Sequence, residues 1–159
     1  MKITCIVSLL ILCNCTAPSR YKAVTDHVQL SETPRKKVFI IKNGYLPNAG
    51  RFVEMINANQ WIRFDKEVQA LTDSRAKSFL QAIRLLIQKE YFSAYRTIEA
   101  YSDTDFDCQL KILKADCLYE LKADSVDLQN KYQEAWDCTE DSRIKSIVKS
   151  RFRFVNYGL

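Results

Sequence analysis

Asp116 and Glu120 stand four positions apart in an otherwise apolar stretch, so a helix puts both carboxylates on one face. Two close carboxylates can run general acid–base chemistry when burial drives their pKa values apart. Lys and Tyr residues flank both acids, and a satisfied polar seam is the plainer expectation for the pair. His27 is the single histidine and lies in an irregular N-terminal stretch, with no acid held at fixed spacing against it. A Ser-His-Asp or Cys-His arrangement therefore cannot be assembled. Asp103, Asp105 and Asp107 alternate as calcium ligands do. A calcium loop counted from Asp103 needs Gly at its sixth position and Glu at its twelfth, where this chain has Cys108 and Lys114. These acids read instead as a helix cap drawn to the positive end of the macrodipole. The expectation is a chain with no catalytic residues, no metal and no cofactor.

Of the six cysteines, Cys108, Cys117 and Cys138 fall in the body of the chain. Nine helical residues put Cys108 about 13 Å from Cys117, beyond the roughly 7 Å Cα limit of a disulfide. Cys108 begins one expected helix and Cys138 ends the next, so antiparallel packing brings those two together. A Cys108–Cys138 bridge is open to the chain in an oxidising compartment. Three buried free thiols are the alternative.

The elements that must position these residues are foreshadowed by composition. The 159 residues are 47% hydrophobic and 27% charged, which suits one globular domain. Three Gly and three Pro are too few for a glycine-dependent β-sandwich, Rossmann fold or phosphate loop, and favour helices.

Met1-Lys2 precedes an apolar run from Ile3 to Leu12. Ten residues make about 15 Å of helix, half of a bilayer core, which describes an export signal better than a membrane span. Leu12-Cys13-Asn14-Cys15 resembles the lipobox of bacterial lipoprotein signals, in which a Leu three residues ahead of a Cys guides lipidation and cleavage. Leu12 and Cys15 match that pattern, whereas Asn14 stands where it prefers Gly, Ala or Ser. The resemblance implies a signal peptide over 1–14, palmitate and other acyl chains on Cys15, and removal of the leader. Cys13 is the second choice, and ordinary secretion the alternative. Thr16, where an Asp would resemble an inner-membrane retention signal, implies the outer membrane on either of its sides. Residues 15–101 carry 14 basic and 8 acidic side chains, and residues 102–159 carry 9 and 11. This modest basic excess reads as a solvated face, with an anionic headgroup surface as the alternative and nucleic acid excluded by export.

Residues 15–37, with Pro18 and Pro34, show no sustained period and read as a flexible tether, with Arg35-Lys36-Lys37 solvated. Val38-Phe39-Ile40-Ile41 is β-branched but has no visible partner, so it is expected as an extended segment or first turn packed on helices. From Asn48 onward the spacing is helical. Phe52, Met55 and Ile56 precede Trp61, Phe64, Val68 and Leu71, and Thr72-Asp73-Ser74 caps a run through Phe79, Ile83, Leu86 and Ile87. Tyr91, Tyr95, Ile98 and Tyr101 follow a turn near Gln88-Lys89-Glu90. Leu110, Leu113, Cys117 and Leu121, then Leu128, Tyr132 and Ala135, then Ile144, Ile147, Val148 and Phe154 complete the series before Gly158. About seven helices over 38–159 make an all-α domain of antiparallel helical hairpins.

A shift of 34 residues aligns Phe79 with Leu113 and Ile147, Ala82 with Asp116 and Ser150, Ile87 with Leu121 and Val155, and Ile98 with Tyr132. Lys89-Glu90-Tyr91-Phe92-Ser93-Ala94, Lys114 to Asp124 and Ser150 to Phe154 resemble the turns and helices of a degenerate tetratricopeptide repeat, over roughly 75–159. The family's Trp-Leu-Gly opening and inter-unit Pro are absent. That resemblance implies stacked hairpins and an unidentified protein partner, with no small-molecule substrate. A second likeness, of Asn57–Leu71 and Ala76–Tyr101 to the helical leader of bacterial retropepsin-like proteases, implies an accessory or remnant domain; Asp103-Thr104-Asp105 lacks the Gly such enzymes need. The favoured expectation is a membrane-anchored, non-enzymatic scaffold or adaptor lipoprotein of the cell envelope. Its last helix is expected to cover Leu113 and Leu121, while removal of Thr16–Arg35 is expected to leave stability unchanged.

Overall fold

The computed structural model describes residues 19–25, 28–30, 36–41, 46, 48–100 and 108–157. Two strands, β1 (Tyr21–Thr25) and β2 (Lys37–Ile41), precede seven helices among the described residues. These are α1 (Ala49–Asn57), α2 (Trp61–Gln69), α3 (Ser74–Ile87), α4 (Tyr91–Glu99), α5 (Cys108–Glu120), α6 (Ser125–Asp137) and α7 (Ser142–Tyr157). The fold is thus mainly helical, and the all-α expectation holds apart from a small sheet.

The helix starts follow the local chemistry of the chain. The Asp73 carboxylate accepts from the backbone N–H of Arg75 and Ala76, and that of Asp124 from Val126, satisfying donors no helical carbonyl can reach. The Asp141 carboxylate accepts from Arg143 in the same way.

The turns α1–α2, α3–α4 and α5–α6 are built alike. Asn59, Lys89 and Lys122 have φ of 56°, 68° and 60°. In each turn this left-handed residue donates to the carbonyl three residues back, and its successor to the carbonyl five back: Gln60 to Met55, Glu90 to Leu85, Ala123 to Leu118. This is the Schellman closure of a helix end. The left-handed residues are spaced 30 and then 33 apart. Phe79 is therefore equivalent to Ile112 in the first helices, one residue off the column with Leu113. In the second helices the fourth residues (Phe64, Ala94, Leu128) and eighth residues (Val68, Ile98, Tyr132) are all buried.

Residues 21–25 fall inside the stretch expected to be a tether, and the structure corrects that reading. β1 pairs in parallel with β2, Tyr21 opposite Lys37 through Thr25 opposite Ile41. Tyr21 and Phe39 stack with ring centroids 5.1 Å apart. Tyr21, Ala23, Phe39 and Ile41 join a core with α1 to α5, whereas Val24, Val38 and Ile40 join a second core with α5, α6 and α7. Every residue of β2 is buried, which explains an unbroken apolar run with no alternation. Side chains blunt both edges. The Asn57 amide accepts from the Ala23 N–H and donates to its carbonyl, and Arg151 donates to the Val38 carbonyl.

α5 lies between the two cores. Leu110, Leu113 and Cys117 face the first core, and Ile112 and Ala115 the second. The expectation that the last helix covers Leu113 and Leu121 is corrected accordingly. Leu113 and Cys117 pack with Phe79, Leu86 and Ile98, and Leu121 is 42% exposed. The face α7 covers with Ile144, Ile147 and Val148 is that of Ile112, Ala115, Tyr132 and Ala135. The Phe154 side chain and Gly158 lie outside the described residues.

Candidate functional site

α5 brings Asp116 and Glu120 to the junction of β1, β2, α6 and α7. Asp116 is fully buried, as is Arg151, and Lys37 is 3% exposed. The Arg151 Nε–H donates to both carboxylate oxygens of Asp116, at 2.9 and 3.1 Å. The Tyr132 hydroxyl donates to Asp116 Oδ1 at 2.7 Å. Lys37 Nζ lies 3.7 Å from Asp116 Oδ1 and 3.5 Å from Glu120 Oε1, over the Tyr119 ring at 4.0 Å. Tyr21 donates its hydroxyl proton to Glu120 Oε1 at 2.9 Å. Two cations and two carboxylates thus balance in a region water barely reaches, where an unpaired charge would be costly.

Both carboxylates are engaged by cations and tyrosines, and their reach is toward structural partners on four other elements. The arrangement cross-links the strands to the helices. Lys37, expected to be solvated, is instead the cation that β2 contributes. Arg151 figures in the sequence only within the repeat-like stretch Ser150 to Phe154, yet it follows Ile144, Ile147 and Val148 at helical spacing and so continues the buried stripe of α7. An Arg in one buried stripe and an Asp in another is a legible sign of a pair.

Burial shifts the titration of this region. It pushes the hydroxyls of Tyr21 and Tyr132 well above their ordinary 10.0, reinforced by the negative charge of Asp116. It also pushes the Cys117 thiol up from 9.0, again with Asp116 adding to the effect. Burial pulls Lys37 down from 10.5, against the opposing attraction of Asp116. Above pH 10 the unfolded chain releases tyrosine and thiol protons that the folded chain keeps, so stability falls as pH rises. Each fully shifted group contributes about 1.4 kcal/mol per pH unit. Lys37 works in the opposite direction, since between its lowered value and 10.5 the unfolded chain holds a proton the folded chain has lost. One group opposes three, and its effect ends at 10.5. Urea midpoints should therefore drop between pH 8 and pH 11, and Tyr132→Phe should drop by less across that interval. An equal drop in the variant would mean that Tyr132 ionises in the folded state.

Cys108, at the start of α5, and Cys138, at the C-cap of α6, are joined as a disulfide with Cα atoms 5.6 Å apart. Cys117 is a buried free thiol. The bridge closes 30 residues of sequence. Cys108→Ser/Cys138→Ser should lower the unfolding free energy by about 2–4 kcal/mol. Urea titration with and without reductant checks this, and coincident curves for the native chain would show the bridge to be irrelevant to stability.

Cys13, Cys15, His27, Asp103, Asp105 and Asp107 lie outside the described residues. Among the described residues no three His, Cys, Asp or Glu side chains converge as metal ligands, and no helix is long and apolar enough to cross a membrane. The chain matches no family model, no curated protein and no solved structure.

Proposed function

We propose that this chain is a membrane-anchored, non-enzymatic scaffold or adaptor lipoprotein of the cell envelope, with tetratricopeptide-like helical pairs as its interaction surface. The observation that carries the reading is the threefold recurrence of one turn, with the same positions buried in each following helix. A unit of this kind cannot bury its apolar face alone, and neighbours close it. Here α7 is the closing helix. The Cys108–Cys138 disulfide fits an oxidising compartment outside the cytoplasm, in keeping with the export signal read at residues 1–14. Cys15 is the attachment point for palmitate in this reading, and the outer membrane its location.

The anchor is tested by labelling cells with palmitate. Label should vanish in Cys15→Ala and persist in Cys13→Ala; the opposite pattern would move the anchor to Cys13, and no label at all would remove it. The adaptor role is tested by cross-linking the native protein in its envelope and identifying by mass what it joins. A reproducible protein partner whose yield drops when exposed helix residues are changed supports the reading, and a protein that remains uncross-linked in its own membrane ends it.

A further inference from the structure

Five large hydrophobic side chains are exposed among the described residues, and four of them crowd the turns at Asn59, Lys89 and Lys122. Ile62 and Phe92 hold the same place, second in the helix after a turn, and are 92% and 64% exposed. Leu121 and Val126 flank the third turn.

Strand β1 starts at this same end. Ser19 and Tyr21 line one cavity with Asn57, Asn59 and Ile87. The Arg20 charge acts on Tyr91, at the first residue of α4. Arg20, Lys22, Arg63 and Lys89 are exposed there, against Glu90. The third turn is mixed, with Lys122 beside Asp124 and Asp127, so the basic apolar patch centres on the first two turns.

Chain length supplies the occupant. Ser19 follows Cys15 by four positions, at most about 14 Å even when fully extended. Acyl chains on Cys15 would hold this end, and no other, close to the bilayer. Trp61, half-buried beside Ile62, is the residue type that settles at a membrane interface.

We infer that the end bearing the first two turns docks on an anionic bilayer, with Ile62 and Phe92 entering the acyl boundary and Arg20, Arg63 and Lys89 meeting headgroup phosphates. The inference rests on the lipid-anchor reading and adds to it an orientation: the opposite end of the helices faces the partner.

Trp61 reports on the docking once Trp136 is replaced by Phe. The full protein, purified from membranes, is mixed with excess anionic vesicles carrying brominated acyl chains, and its emission is compared with that in unbrominated vesicles. Strong quenching is expected, reduced in neutral vesicles, and lost in Ile62→Ser/Phe92→Ser while the helical dichroism is unchanged. Absence of quenching, or quenching that the double substitution leaves intact, overturns the docking. A dimer that the double substitution dissolves, without quenching, would assign the patch to a second copy of the chain. The intact mass separates the two readings. An acylated but unquenched protein keeps its anchor and loses the docking, whereas a quenched protein without acyl chains docks without an anchor.

Discussion

Asp116→Ala is expected to destabilise the protein by about 3–5 kcal/mol, the usual cost of stranding a buried charge. Arg151, fully buried, loses the acceptor of its Nε–H, and its Nη1 already lacks a hydrogen-bond partner. Tyr132 loses its acceptor as well, and Lys37 loses the nearby Asp116 carboxylate while that of Glu120 stays in place. Arg151→Met should cost a similar amount, because it abandons Asp116 and the Val38 carbonyl together. The double variant Asp116→Ala/Arg151→Met removes both charges, so its loss should fall short of the summed single losses by about 1–3 kcal/mol. Urea unfolding of the four proteins closes the cycle. Additive losses would show that the two side chains do not act as a pair.

Removal of residues 141–159 should abolish cooperative folding. Ile144, Ile147 and Val148 are all buried, and at about 1.5–3 kcal/mol for each side chain their loss is comparable to a typical domain stability of about 5–15 kcal/mol. The truncation also takes the Arg151 guanidinium away from Asp116, and it uncovers Ile112, Ala115, Tyr132 and Ala135. The truncated chain should give no sigmoidal urea transition, and a melt equal to that of the full protein would show that α7 is no cap. Deletion of Thr16–Arg35 should also lower the melt, contrary to the expectation for a tether. It removes β1, the Tyr21–Phe39 stack and the Tyr21 contact to Glu120. An unchanged melt would mean that β1 is dispensable to the core.

The helices were legible because their determinants are local. Stripes such as Ile144, Ile147 and Val148 repeat with the period of the backbone, and Asp73, Asp124 and Asp141 cap amides two or three residues away. The three turns were less so, because Lys89 and Lys122 take up a left-handed backbone that favours Gly or Asn. Their 30- and 33-residue spacing departs from a single period of 34, which the buried Ile98 and Tyr132 of the second helices do keep. The pattern puts Cys108 and Cys138 at neighbouring helix ends, but the choice between bridge and free thiols depends on how closely those ends meet.

Strand β1 had no comparable signal. Tyr-Lys-Ala-Val-Thr alternates weakly, and its partner lies 16 residues on in a parallel pair, without the tight turn that announces a hairpin. Only helices packed on both faces make so small a sheet worth forming. The buried charges divide in the same way. Asp116 stood out as a polar intruder in an apolar helix, and its pairing with a residue 35 positions on could not be read from any window. Arg151 also reaches Val38, 113 positions away. By itself, then, the sequence determined the helices, their caps and the apolar faces, since backbone hydrogen bonds and side-chain periodicity act over three to five residues. Only the tertiary structure decided which strand joined β2, which cation met Asp116 and which face α7 covered, because those choices depend on burying charge and edge together across the whole chain.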